Sequence, residues 1–173
     1  MLRKSFTYLR KFDWKKIPFY KISIVNKKDL EEPFKKHKIY AVIHFAGKKA
    51  VGESVEKLLL YYENNFTGIF NLIELCLKYK VNNFIFSSSC TVYGNRDDRP
   101  KEEEKMLFPI TPYGRSKLFI VHMLKDVSKA EKDFKIALLR YCNPVAAHSS
   151  GKIGEDPFSK PTIFSYYPFQ NNV

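Results

Sequence analysis

A tyrosine and a lysine four residues apart, Tyr113 and Lys117, carry the most specific chemistry in this 173-residue chain. Positions i and i+4 of a helix share one face. An ammonium beside a phenol favours the phenolate and lowers its pKa. The preceding pair, Thr111-Pro112, reads as a helix start, with threonine as N-cap and proline at the first helical position. Tyr113 then lies in the first turn, where the helix dipole favours negative charge. A phenol tuned toward neutral pH can take a hydroxyl proton and return it. Ser89 ends an apolar run about two dozen residues earlier and can hydrogen-bond the same hydroxyl or a developing carbonyl. Tyr-x-x-x-Lys alone is common on helices, and serine triplets are common in loops. The specificity lies in the joint arrangement of a serine at a strand end and a Tyr-x-x-x-Lys opening the next helix.

The elements that must position these groups follow from periodicity. Residues 17–25 (IPFYKISIV) have the β-branched and aromatic content of a strand. Residues 29–38 suggest a short helix with Asp29 as N-cap, and Pro33 suits it only inside the first turn. Residues 40–45 (YAVIHF) form a short apolar run, as in a buried parallel strand, and end at Ala46-Gly47, where backbone can approach a ligand. Over 55–80, Phe66, Ile69, Phe70, Ile73 and Leu77 recur with helical spacing. Residues 82–88 predict another buried strand, and 94–110 a charged loop. The helix from Thr111 turns Leu118, Val121, Leu124 and Val127 inward, and 134–141 (FKIALLRY) predicts a last strand. Alternating strands and helices imply right-handed crossovers and a doubly wound α/β fold around a parallel sheet. Ligands of such sheets bind beyond the carboxyl ends of the strands. Three ends should therefore converge: residues 44–47, 87–89 and 141–143.

Composition bounds the rest. No apolar run approaches the roughly 18–20 residues of a membrane span. Three cysteines at wide spacings argue against a disulfide framework and for a reducing, cytoplasmic setting. The four histidines share no metal-ligand spacing. The net charge of +12 prompts a nucleic-acid reading, but residues 1–40 hold twelve Lys/Arg against four Asp/Glu, leaving only +4 for the other 133 residues. Aromatics fall in strand and helix patterns rather than in a basic groove, so nucleic-acid binding is the weakest of the functions considered.

The sequence resembles the UDP-galactose 4-epimerase family of extended short-chain dehydrogenases/reductases. The matching text is AVIHFAG (41–47), KAVGESV (49–55), YYENN (61–65), NNFIFSSSCTVYG (82–94), TPYGRSK (111–117), ALLRYCNP (137–144) and GEDP (154–157). The resemblance implies a partial Rossmann-like NAD-binding domain over 16–157, flanked by a divergent basic N-terminus (1–15) and a divergent tail (158–173). It implies that Tyr113 removes the proton from the sugar 4-hydroxyl while NAD takes the C4 hydride. Lys117 would hold the nicotinamide ribose and lower the Tyr113 pKa, and Ser89 would hydrogen-bond the 4-oxygen. Phe45, Ala46, Gly47, Lys49 and Asn64 would line the cofactor, Tyr141 would lie near the nicotinamide, and Asn143 would contact the UDP-sugar phosphates. Helices 55–80 and 113–130 match those that pair in a homodimer. Related dehydratases carry Thr-Asp-Glu where this chain has Ser89-Cys90-Thr91, so elimination of water is not expected.

The chain also departs from the family pattern. The family opens on a strand, a glycine-rich turn that binds the cofactor pyrophosphate, and a helix. Here the first glycine is Gly47, and residues 158–173 do not match the substrate domain. The expected sheet therefore lacks its central strands, leaving 40–45 as an open apolar edge and 17–25 without its usual neighbour. The text reads as an internal piece of an epimerase. A non-catalytic truncated relative that associates with an intact subunit is the alternative.

Overall fold

The computed structural model describes residues 17–94 and 106–142, of which Tyr20–Cys142 belong to one compact unit. Its three shortest apolar runs become parallel strands: β1 (Ala41–His44), β2 (Asn83–Ser87) and β3 (Lys135–Leu139), in the order β1-β2-β3. Ile43 stands beside Ile85, and Ile85 beside Ala137. Helix α1 (Lys27–Lys36) precedes β1. The first crossover holds α2 (Val51–Glu56), α3 (Leu58–Tyr62), a π-helical turn (Glu63–Thr67) and α4 (Gly68–Lys78). The second holds a 3₁₀ turn (Cys90–Tyr93) and α5 (Pro112–Ala130). The expected parallel sheet with crossover helices thus holds for the described residues, and the core lies on its Phe84–Phe86 face.

The core forms where the two periodicities meet. Phe84 and Phe86 point inward from alternate positions of β2. They join Ile69, Leu72, Ile73 and Leu75 from α4 and Ile120, Val121 and Leu124 from α5. Each such side chain contributes roughly 1.5–3 kcal/mol when fully buried. This packing fixes α4 and α5 against the sheet and sets the direction in which their ends project. Of the residues expected inward on α5, Val121 and Leu124 are buried, while Leu118 and Val127 are half-buried. β1 lies at the sheet edge with Ala41 and Ile43 exposed, as its missing neighbours imply.

Three expectations need correction. Residues 17–25 form no strand: the segment is irregular and ends in a turn at 24–25. Its Ile22 and Ile24 pack on the core, and the Asn71 amide donates to the Ile24 and Val25 carbonyls at 3.1 and 3.0 Å. The first helix is capped by Asn26, not Asp29: the Asn26 side chain accepts from the Asp29 amide, and its own amide donates to the Asp29 carboxylate at 2.7 Å. That earlier start places Pro33 inside the helix, where it removes one backbone bond. Burial of Leu30 and Phe34 and the Lys27–Glu74 ion pair hold α1 in place regardless. Finally, the continuous helix expected over 55–80 starts at Val51, breaks at Lys57 and passes through the π turn before α4.

Candidate active site

The amino end of α5 sets the position of Tyr113. Thr111 caps the helix as expected, its hydroxyl accepting from the Gly114 amide at 3.1 Å. The Tyr113 amide donates to the Ser54 hydroxyl at 3.3 Å, and that hydroxyl donates to the Val51 carbonyl. The start of α5 is thereby tied to α2. Gly114 lets α5 approach the 3₁₀ turn, because a Cβ there would lie 3.0 Å from the Thr91 carbonyl and 2.9 Å from Pro109. Tyr113 itself is buried.

Lys117, one turn on, is 6% exposed. Its ammonium donates to the Ser87 carbonyl at the end of β2 at 2.8 Å, and it lies 4.7 Å from the Phe86 ring centre and 5.8 Å from that of Tyr113. Burial pushes its pKa down to about 8. The expected tuning of Tyr113 takes a different form. Burial raises the phenol above its ordinary pKa, and the influences that lower it are a Ser89 side-chain hydrogen bond and then the Lys49 charge. The Lys117 ammonium gives its hydrogen bond to the Ser87 carbonyl. His44, at the strand end expected to converge here, stacks on Phe86 at 5.8 Å. Burial, aided by the Lys117 charge, lowers it to about 4 and keeps it neutral at pH 7. Its place at the end of β1 was the available signal.

The carboxyl end of β2 supplies the serines. Ser89 caps the 3₁₀ turn, its hydroxyl accepting from the Thr91 amide at 3.2 Å and the Thr91 hydroxyl at 3.0 Å. The Ser87 hydroxyl meets the Tyr141 hydroxyl at 2.7 Å. Ser88 is buried with a hydroxyl that has no partner among the described residues. Tyr113, Lys117, Ser89 and Tyr141 are thus gathered around one strand end. Asn143 lies outside the described residues.

The loop after β1 approaches the same end. Phe45, Ala46, Gly47 and Lys49 are exposed, and Gly47 has φ 148°, a value that suits glycine. The expected Asn64 is half-buried, and its side-chain amide donates to Asn65 Oδ1 at 3.1 Å. The residue that organises the loop is Asn65. Its side-chain oxygen accepts from the Lys48 amide at 2.9 Å, and its nitrogen donates to the Lys48 carbonyl at 3.2 Å and the Ser116 hydroxyl at 3.3 Å. A π-helical turn, common at functional sites, presents it inward. Periodicity alone could not separate Asn65 from Asn64.

This arrangement coincides with a known family. The model of the NAD dependent epimerase/dehydratase family matches residues 3–159. The chain belongs to that family. It is 49% identical over 152 residues to UDP-glucose 4-epimerase 2 of Arabidopsis thaliana, covering 88% of this chain and 43% of the relative. It is 44% identical over 168 residues to the UDP-glucose 4-epimerase of Mus musculus, covering 96% of this chain and 48% of that protein. The solved UDP-glucose 4-epimerase of Bifidobacterium longum, in complex with NAD+ and UDP, superposes with a TM-score of 0.85 at 42% identity. That comparison covers 91% of this chain and 47% of the solved one. The chain spans less than half the length of these relatives.

The residues present fit one end of the family's cofactor. The glycine turn at Gly47 allows close backbone approach, Lys117 offers a buried donor, and the unpartnered Ser88 hydroxyl marks the strand end as polar. Residues 1–46 contain no glycine and so add no glycine-rich cradle for a pyrophosphate.

Two predictions follow from this geometry. Replacing Asn65 by leucine leaves the Lys48 backbone groups without their partners, which should cost about 2 kcal/mol in a urea unfolding titration; an effect near zero would mean that the loop does not depend on it. Lys117 gives a pH signature. Its lowered pKa weighs against folding while the ammonium persists, and that cost fades as pH rises from about 8 through the ordinary value of 10.5. The stability of wild type relative to Lys117→Met should therefore rise over that window by about 3 kcal/mol. A flat difference would show that the ammonium is not desolvated.

Proposed function

We propose that this chain carries the proton-transfer centre of a UDP-glucose 4-epimerase, interconverting UDP-galactose and UDP-glucose through a transient 4-keto sugar. The supporting observation is the buried cluster at the end of β2, where Ser89 lies near enough to Tyr113 to lower its pKa against burial and Lys117 anchors to Ser87 one helical turn away. In the indicated reaction Tyr113 takes the proton from the sugar 4-hydroxyl and later returns it. Ser89 holds the 4-oxygen during that exchange. Lys117 keeps the α5 face in register with β2 and offers its ammonium to the ribose hydroxyls of the cofactor. Phe45, Ala46, Gly47, Lys49 and Asn64 border the cofactor side, Tyr141 the nicotinamide side, and Asn143 the phosphates of the UDP-sugar. NAD, when bound, supplies the reversible acceptance of a hydride. The NAD-binding domain would run from 16 to 157, although the family match begins earlier, at residue 3. The absence of a long apolar helix among the described residues fits a reaction away from the bilayer, and the three unpaired cysteines favour the cytoplasm.

Homodimerisation is part of the same reading. Leu59, Phe70 and Phe119 are exposed on α3, α4 and α5, and Phe119 packs against Phe66 at 4.9 Å to continue an aromatic stack with Tyr62. Such a patch on helices beside the site suits an isologous contact. A second reading draws on the glycine-free first 46 residues: the polypeptide would dimerise without turning over and associate with an intact subunit.

Supplying the purified chain with NAD+ and UDP-galactose separates the two. The epimerase reading expects UDP-glucose to form, and Tyr113→Phe to slow its formation by about 10²–10⁴-fold, the range for loss of a general acid–base. Product formed equally by Tyr113→Phe would refute the assignment of Tyr113. No product from wild type would favour the non-catalytic partner.

A further inference from the structure

We propose that Cys90 and Cys142 form a reversible disulfide joining the ends of β2 and β3 beside Tyr113. The strand register pairs Ser87 with Leu139, and three residues further along each chain lie Cys90 and Cys142. Two backbone bonds continue past the strand ends up to the start of the 3₁₀ turn: the Ser88 amide donates to the Leu139 carbonyl at 2.8 Å and the Cys90 amide to the Tyr141 carbonyl at 3.2 Å. Neighbouring strands lie about 4.8 Å apart, within the roughly 4.4–6.8 Å Cα separation that a disulfide spans. The Cys142 side chain lies near enough to raise the pKa of the Cys90 thiol further, after burial, and both thiols are free.

Their surroundings assign different roles. Cys142 is exposed and Cys90 half-buried, while the third cysteine, Cys76, on the inner face of α4, is fully buried in the core. Burial pushes Cys76 up to about 12 and Cys90 up to about 11. The oxidant suited to this pair is a low-molecular-weight disulfide. The Cys142 thiolate attacks one of its sulfurs, forming a mixed disulfide and expelling one small thiolate. Cys90 then gives up its proton and attacks the Cys142 sulfur, closing the protein disulfide and expelling the second small thiolate. The two protein thiols lose two electrons, the reagent gains them, and the two protons end on the released thiols. The poorly acidic Cys90 makes closure the slow step, faster as pH rises. The inference rests on strand register and thiol placement and does not depend on the epimerase reading.

The test is incubation of the full chain with oxidised glutathione, followed by alkylation and non-reducing peptide mapping. Free thiols should fall from three to one, with a linked Cys90–Cys142 peptide that dithiothreitol reverses. Cys90→Ser should stop at a stable glutathione adduct on Cys142, and Cys142→Ser should form no internal bond. A wild-type chain that accumulates the Cys142 adduct without closing would overturn the proposal. So would cross-links between chains, or pairing with Cys76.

Discussion

A buried ammonium is the constraint around which the site is built. Lys117 lies almost wholly out of water, and its charge is met by the carbonyl of Ser87 and the faces of two aromatic rings. Such a group costs stability unless it is held in register, so α5 and the end of β2 must keep their relative position. That requirement brings Tyr113, one turn earlier, against Ser89, two residues beyond Ser87. Burial, with the same cation as a lesser influence, keeps the nearby His44 neutral. Strand order, helix start and local electrostatics thus converge on a few atoms at the carboxyl end of the sheet.

The supports of this centre are polar and local. Asn65 fastens the loop after β1 to Ser116 on α5, and Ser54 fastens the first turn of α5 to α2. The acid–base balance of Tyr113 is a competition in which burial raises the phenol while Ser89 and Lys49 oppose it. The loop that would border a cofactor therefore also adjusts the acidity of the group that would exchange the proton.

Much of this was legible in the residues. Thr111-Pro112 announced the helix that holds Tyr113, because capping chemistry is written into two side chains. The apolar runs around 41–44, 83–87 and 135–139 announced parallel strands, although in the fold their burial alternates and one face of the sheet is left more open. The irregular state of 17–25 was not legible. Its β-branched residues are satisfied equally by a sheet neighbour or by packing on α4, and only the available partners decide. The Asn26 cap and the interior Pro33 were missed because packing of Leu30 and Phe34 outweighs a lost backbone bond. The π turn that selects Asn65 over Asn64 has no signature in composition, and the partner of the Tyr113 phenol depends on where the Lys117 ammonium points.

The central claim is that this cluster forms one end of a nicotinamide cofactor site even though residues 1–46 contain no glycine to cradle a pyrophosphate. The most direct test is the thermal midpoint of the purified chain as NAD+ is added. Selective binding to the folded state should raise the midpoint, by the equivalent of about 2.7 kcal/mol at a hundred times the dissociation constant, and Lys117→Met should abolish the rise. A wild-type midpoint that stays unmoved at saturating NAD+ would contradict the account.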